Sequence, residues 1–166
     1  MKTRCRGNFV SCLVIAAFTS LLFGCRVCNA GEPAFEPEVG ASVFNGSAAA
    51  ALGASVRWPE AGPGTSDWEC GLFVIDEYDY RGSLVPRQAV ANCLLAVHII
   101  KKRVDFGAGA AYLYNTDAIN GSHLNFALLA RYRITDRLAI SWRHWSNAGI
   151  VQPNVGLNLV LVGWSF

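Results

Sequence analysis

The chain has 166 residues and a mass of 17.9 kDa, which is room for a single domain. Its hydrophobic fraction is 52% and its charged fraction 16%, more apolar than an ordinary soluble domain. Lys2, Arg4, Arg6 and Arg26 precede residue 31 and all twelve acids follow it, so the remainder carries ten cations against twelve acids, a net −2, and gives no reason to expect a nucleic-acid partner.

Residues 1–30 read as a secretory signal peptide. Lys2, Arg4 and Arg6 form a basic start, and Phe9 to Phe23 is almost unbroken apolar sequence. Cys28 and Ala30 place small side chains at the −3 and −1 positions of a cut after Ala30, so Gly31 is the expected first residue of the mature chain. The apolar stretch is short of the roughly 20 residues that an anchoring helix needs. Leu22-Phe23-Gly24-Cys25 is a looser alternative, a lipidation signal at Cys25, with a bulky Phe where that motif wants a small residue. Six cysteines become two beyond the leader, Cys70 and Cys93. Export permits a disulfide between them, and two buried thiols are the alternative.

From residue 31 on, segments of about ten residues alternate with turn chemistry. The expected strands are 38–44, 49–58, 68–80, 88–100, 104–114, 123–134, 137–146 and 155–166. Asn45-Gly46, Arg81-Gly82-Ser83, Lys101-Lys102 and Thr135-Asp136 punctuate them in the manner of hairpins. Tight turns are expected at Lys101-Lys102 and Thr135-Asp136, and long connections after Trp58, Tyr114 and Ser146. Eight strands of this length, with short turns on one rim and long loops on the other, predict an all-β fold: an eight-stranded antiparallel transmembrane β-barrel over residues 31–166. In the last strand Val160, Val162, Trp164 and Phe166 alternate and end on an aromatic residue, as outer-membrane barrels do. A secreted β-sandwich is the competing architecture.

The chemistry concentrates in His144-Trp145-Ser146-Asn147-Ala148-Gly149, Pro153-Asn154 and Gly156-Leu157-Asn158. Residues i and i+2 of a strand share a face, roughly 6–7 Å apart. His144 and Ser146 are therefore neighbours, the base and nucleophile of a serine hydrolase. Counting back by two gives Trp142, Ile140 and Leu138, an apolar set that faces lipid; the other register holds Arg143 and Ser141 and faces the lumen. On the final strand the lipid-facing register leads from Phe166 back to Asn158. All three polar residues then open sideways into the membrane.

This run resembles the lipid A 3-O-deacylase family, also called acyloxyacyl hydrolases: eight-stranded outer-membrane barrels with a His-x-Ser-Asn segment and a downstream Pro-Asn and acid. The likeness runs from about Arg131 to Phe166, with only the leader and the strand rhythm before it. It implies Ser146 as nucleophile, His144 as general base and then acid, and position 158 as the acid that orients the histidine. Here the chain departs from the family, since Asn158 stands where a Glu is expected. An amide oxygen still fixes the tautomer but cannot stabilise the imidazolium by charge. Asn154 and the Gly149 backbone N–H are the expected oxyanion donors, with Asn147 in support. The resemblance implies lipid A or lipopolysaccharide in the bacterial outer membrane as substrate, with no cofactor and no metal. A catalytically silent structural or adhesive barrel of the same fold is the second reading, and the sequence leaves the oligomeric state open.

Elsewhere the sequence offers less. His98 sits alone in the apolar run 94–100 and His123 follows a polar loop, neither with a metal partner at ligand spacing. Asp76-Glu77-Tyr78-Asp79 reads as a solvated strand end, or as a contact for a cation or a sugar.

Overall fold

The computed structural model describes residues 32–44, 47–59, 66–99, 103–116 and 119–166. The expected leader, its cleavage site and Cys25 lie outside the described residues, as do Asn45-Gly46 and Lys101-Lys102. The strands are β1 (Ala34–Phe44), β2 (Ser47–Pro59), β3 (Ser66–Ile75), β4 (Tyr78–Tyr80), β5 (Ser83–Val85), β6 (Gln88–Ile99), β7 (Val104–Leu113), β8 (Leu124–Arg133), β9 (Leu138–Ser146) and β10 (Leu157–Trp164). Eight of them close an antiparallel barrel in the order β1-β10-β9-β8-β7-β6-β3-β2. β1 shuts the barrel against β10, with Val39 opposite Val162.

Two expectations need correcting. The segment 68–80 is not one strand. The ladder between β2 and β3 runs out at Asp76, whose N–H still donates to Ala50 O at 2.9 Å. The chain then leaves the wall as the β4–β5 hairpin, turned by Arg81 and Gly82 at φ of 53° and 78°. Asp79 Oδ1 accepts the Gly82 N–H at 2.9 Å and holds the turn. Tyr78, Tyr80 and Val85 are buried with the barrel's apolar cluster, so these aromatic residues that look like more wall are a cap. The connection after Trp58 is the second correction. It leaves β2 at the same end as the 134–137 turn, whereas the loops 76–87, 114–123 and 147–156 share the opposite rim, the one expected to face the cell exterior.

Period-2 alternation holds around the wall. On β9, Ile140 and Trp142 are 41% and 39% exposed, while Ser141 and Arg143 are 2% and 0% exposed. On β10, Val160, Val162 and Trp164 point outward and Leu159 and Leu161 inward. A wall with this much exposed aliphatic surface needs hydrocarbon around it. Phe35, Trp68, Phe106, Tyr132 and Trp164 ring the turn rim as an interfacial girdle. Cys70 stands opposite Cys93 across the β3–β6 seam and the two form a disulfide, which closes the choice the sequence left open. Cys70 shares the outward face of Trp68, Leu72 and Val74.

The lumen is filled, and its two halves differ. Toward the loop rim Phe73, Ile75, Leu113, Trp145, Leu157 and Leu159 pack as an apolar core. Toward the turn rim the interior is ionic. Arg143 pairs with Glu38 and Glu69, Arg131 with Glu69, Glu36 and Asp105, and Arg57 with Glu36 and Asp67. Arg133 adds a 2.9 Å pair to Asp105. His98 faces Asp105 through Nδ1 at 2.8 Å and Asp67 through Nε2 at 3.1 Å. Both contacts are hydrogen bonds at once only when both ring nitrogens carry protons. Five carboxylates face four guanidiniums in this half of the lumen, with His98 between Asp67 and Asp105. The Arg143 guanidinium also lies 4.6 Å from the centre of the Phe73 ring, which joins the ionic half to the apolar one.

Candidate active site

β9 and β10 are paired in register with His144 opposite Asn158 and Trp142 opposite Val160. This puts both polar residues on the outer wall, at the end of β9 nearest the loop rim. His144 Nδ1 donates to Asn158 Oδ1 at 3.0 Å. A carboxamide oxygen can only accept, so Nδ1 carries a proton, and in the neutral ring Nε2 is the acceptor. Below it Trp142 stacks on the imidazole, ring centres 5.7 Å apart and planes 12° apart. Above it Gly156, at φ 76°, lies against the ring edge: a Cβ there would come within 2.7 Å of Cε1 and 3.2 Å of Nε2. The imidazole is thus held at three points. Among the described residues no carboxylate touches it.

Ser146 is the next outward residue on β9. Its hydroxyl donates to Asn154 Oδ1 at 3.0 Å and accepts the Ala148 N–H at 3.1 Å. Asn154 Oδ1 also accepts the Asn147 N–H at 3.2 Å, which fixes that amide with its oxygen toward the serine. No hydrogen bond joins His144 to Ser146 among the described residues. The Gly149 N–H donates to Asn147 Oδ1 at 3.0 Å, so it does not point at the serine in this state. Ala148 and Gly149, at φ of 55° and 81°, make the tight turn that carries the Ala148 N–H over Ser146. All six expected site residues therefore fall at one end of the β9–β10 hairpin, with the oxygen of Asn154, not its NH₂, facing Ser146.

Two asparagines beneath the site, Asn120 and Asn125, escaped the sequence reading, which names only Asn147 of this layer. Asn147 is buried and its Nδ2 donates to Asn120 Oδ1 at 3.2 Å and to Val151 O at 2.8 Å. Asn120 Nδ2 in turn donates to Asn125 Oδ1, and Asn125 Nδ2 to Ser122 O at 2.8 Å. Backbone bonds complete the support, from Gly121 N to Pro153 O at 2.7 Å and from Val155 N to Ile119 O at 2.8 Å. The 114–123 loop therefore holds the 147–156 loop in place. The one sequence signal was the polarity of that loop, which does not specify a partner thirty residues away. Asp76, in the acidic run at the end of β3, is bound to Arg87 at 2.8 Å. His123 donates from Nδ1 to Leu113 O and stacks on Tyr112.

Over residues 48–166 the chain matches the family model described as lipid A 3-O-deacylase (PagL). Among solved structures it is similar to the crystal structure of the outer membrane enzyme PagL. The TM-score is 0.57 at 19% identity, over 80% of this chain and 98% of that one. It is also similar to the backbone structure of the Yersinia pestis outer membrane protein Ail in a phospholipid bilayer nanodisc. There the TM-score is 0.48 at 12% identity, over 81% and 100% of the two chains. No curated protein matches it by sequence. The family match takes in seven of the eight wall strands and every candidate site residue; the chain is a member of the lipid A 3-O-deacylase (PagL) family of outer-membrane β-barrels.

Proposed function

We propose that this barrel is a serine esterase that removes the 3-O-linked acyl chain from lipid A, after export under a leader at 1–30. The observation that carries the reading is the 3.0 Å bond from His144 Nδ1 to Asn158 Oδ1 on the lipid-facing wall, with Ser146 two residues along the same face. A site that opens sideways suits a substrate that stays in the outer leaflet.

The reaction begins when Ser146 turns its hydroxyl from Asn154 to His144 Nε2. Oγ attacks the ester carbonyl carbon while Nε2 takes the hydroxyl proton. The oxyanion is stabilised by the Ala148 N–H, already 3.1 Å from Oγ, and by Asn154 Nδ2 once that amide is released from the serine. Gly149 joins them only when its N–H leaves Asn147 Oδ1; until then Gly149 and Asn147 shape the turn. Collapse breaks the bond to the sugar oxygen, which receives the proton back from His144. Water then hydrolyses the acyl-enzyme by the same base and releases a 3-hydroxy fatty acid. Asn158 orients the ring throughout without adding negative charge. Asn158→Glu is therefore expected to raise the rate, to an extent limited by the desolvation of a carboxylate beside lipid.

The second reading is a silent barrel of the same fold. It is favoured by the Ser146 hydroxyl pointing at Asn154 and by the amide at 158. Mass spectra of lipid A from cells expressing wild type, Ser146→Ala or Asn158→Glu at equal levels separate the two. Loss of one hydroxyacyl mass with wild type but not Ser146→Ala supports the esterase. Three identical spectra leave the silent barrel.

A further inference from the structure

The outer wall is uneven toward the loop rim. β7, β8 and β9 carry Tyr112, Phe126 and Trp142 there, whereas β1 and β2 carry Ala41, Ala48 and Ala50. Over Ala50 on β2 lies a groove of about 280 Å³, bounded by Val39, Gly40, Leu52 and Val74, with Ala50 as its floor. Asp76 and Arg87 close its upper end. Val39 is 59% exposed and Leu52 64%, so the groove faces away from the protein and into the surrounding hydrocarbon.

We propose that this groove is a second acyl-chain subsite. It seats another chain of the same multi-chain lipid whose ester reaches Ser146, with the sugar headgroup above Asp76 and Arg87. The assignment rests on the deacylase reading and names where the rest of that substrate lies. Hydrocarbon is the chemistry that fits, because in the inserted barrel this wall meets lipid tails and no water. The volume falls short of the roughly 300–1,000 Å³ of pockets that enclose a whole small molecule, as a slot for one chain should. The groove is also continuous with the catalytic face. Trp142 is opposite Val160, Val160 opposite Ala41 and Ala41 opposite Ala50. Three strand spacings, roughly 14 Å of wall, separate the groove floor from the residue that stacks on His144. Several chains on one headgroup bridge that width and a single chain does not.

The mouth fits a sugar. Arg87 donates to Asp76 Oδ1 from Nε at 3.1 Å and from Nη2 at 2.8 Å, which leaves Nη1 to donate to a ligand, while the Asp76 carboxylate, which also accepts the Glu77 N–H, keeps lone pairs with which to accept from one. The two side chains are 68% and 50% exposed, so a headgroup reaches both. A neutral pair offering one donor and one acceptor side by side matches hydroxyl groups, which need both. It makes no demand for a phosphate.

The test fills the groove without touching the catalytic residues. Ala50→Trp is assayed on multi-chain lipid A and on a single-chain p-nitrophenyl ester, with barrel assembly checked by heat-modifiable gel migration. The expected result is a KM for lipid A raised about tenfold, with kcat and the hydrolysis of the single-chain ester changed less than about twofold. An unchanged KM for lipid A, or equal loss on both substrates, overturns the subsite. Leu52→Trp, on the groove's exposed edge, takes the place of Ala50→Trp if that variant does not assemble. If wild type hydrolyses neither substrate, the deacylase reading has failed and the groove is judged by binding alone. Native mass spectrometry then compares lipid A retained by Ser146→Ala barrels with and without Ala50→Trp. Reduced retention supports the groove and equal retention overturns it.

Discussion

The two faces of β9 are built from the same residue classes to opposite ends. Inward, Ser141 donates to Glu38 at 2.9 Å, and Arg143 is held by Glu38 and Glu69. Each formal charge meets its opposite, and the result is inert. Outward, one residue away, His144 donates from Nδ1 to Asn158 and Ser146 donates to Asn154. Polar groups on the inner face are held by ion pairs between opposite charges; those on the outer face are held by neutral amides. Position on the wall, more than residue type, separates the ionic interior from the candidate site.

The sharpest way to break this contrast is to delete the outward pair. Under the proposed mechanism Ser146→Ala and His144→Ala should each abolish deacylation, since the proposed nucleophile and base act as one unit; losses of roughly 10⁴-fold or more are in scale with serine hydrolases. Gel migration of both variants should match wild type, because neither side chain packs in the lumen. Residual activity in Ser146→Ala above a tenth of wild type would remove the serine from its role.

Arg143→Met tests the inner face. It leaves Glu38 and Glu69 buried without their shared cation, which costs on the order of 3–5 kcal/mol. Urea unfolding in lipid vesicles should show the midpoint fall far below that of Ser146→Ala. Equal midpoints would mean that the ionic half of the lumen contributes little.

Gly156→Ala asks whether the imidazole depends on its three-point grip. The added methyl would sit 2.7 Å from His144 Cε1 at a left-handed φ, so either the ring or the turn must move. A displacement of the base by about 1 Å can cost on the order of a hundredfold, and kcat should fall with KM nearly constant. An unchanged kcat would show that the ring needs no support from above.

The smallest effect concerns the groove mouth. The hydrogen bond from Arg87 holds the Asp76 carboxyl below the usual carboxylate range, helped by the Glu77 backbone and the guanidinium charge. A depressed carboxylate contributes stability above its unfolded pKa of about 3.9 and loses it as the pH falls through the lower folded value. Proteolysis within the 76–87 loop should therefore accelerate only below about pH 4. Arg87→Gln should remove that pH dependence.

Much of this was legible because the barrel reads sequence two residues at a time. Alternation in 138–146 and 155–166 gave the outward face of Trp142, His144, Ser146 and Asn158, and the pairing of β9 with β10 brought the last three together. Other features lay beyond a period-2 rule. Tyr78, Tyr80 and Val85 have strand composition but cap the mouth, because Asp76 and Glu77 end the ladder. Asn120 and Asn125 gain their meaning from contact with Asn147, and contact across thirty residues leaves no local trace. The donor end of Asn154 was expected toward Ser146; the Asn147 N–H, which can only donate, turned the oxygen there instead.

The disulfide has a consequence of its own. Cys70 and Cys93 are cross-strand partners on the outward face, so after insertion the bond lies among lipid tails. Charged reductants excluded from hydrocarbon, such as tris(2-carboxyethyl)phosphine, then meet it only in chains that have not entered a bilayer. Thiol labelling after a brief reducing pulse would count those molecules separately from the inserted ones. The crosslink doubles as an internal gauge of membrane assembly, readable without an added tag.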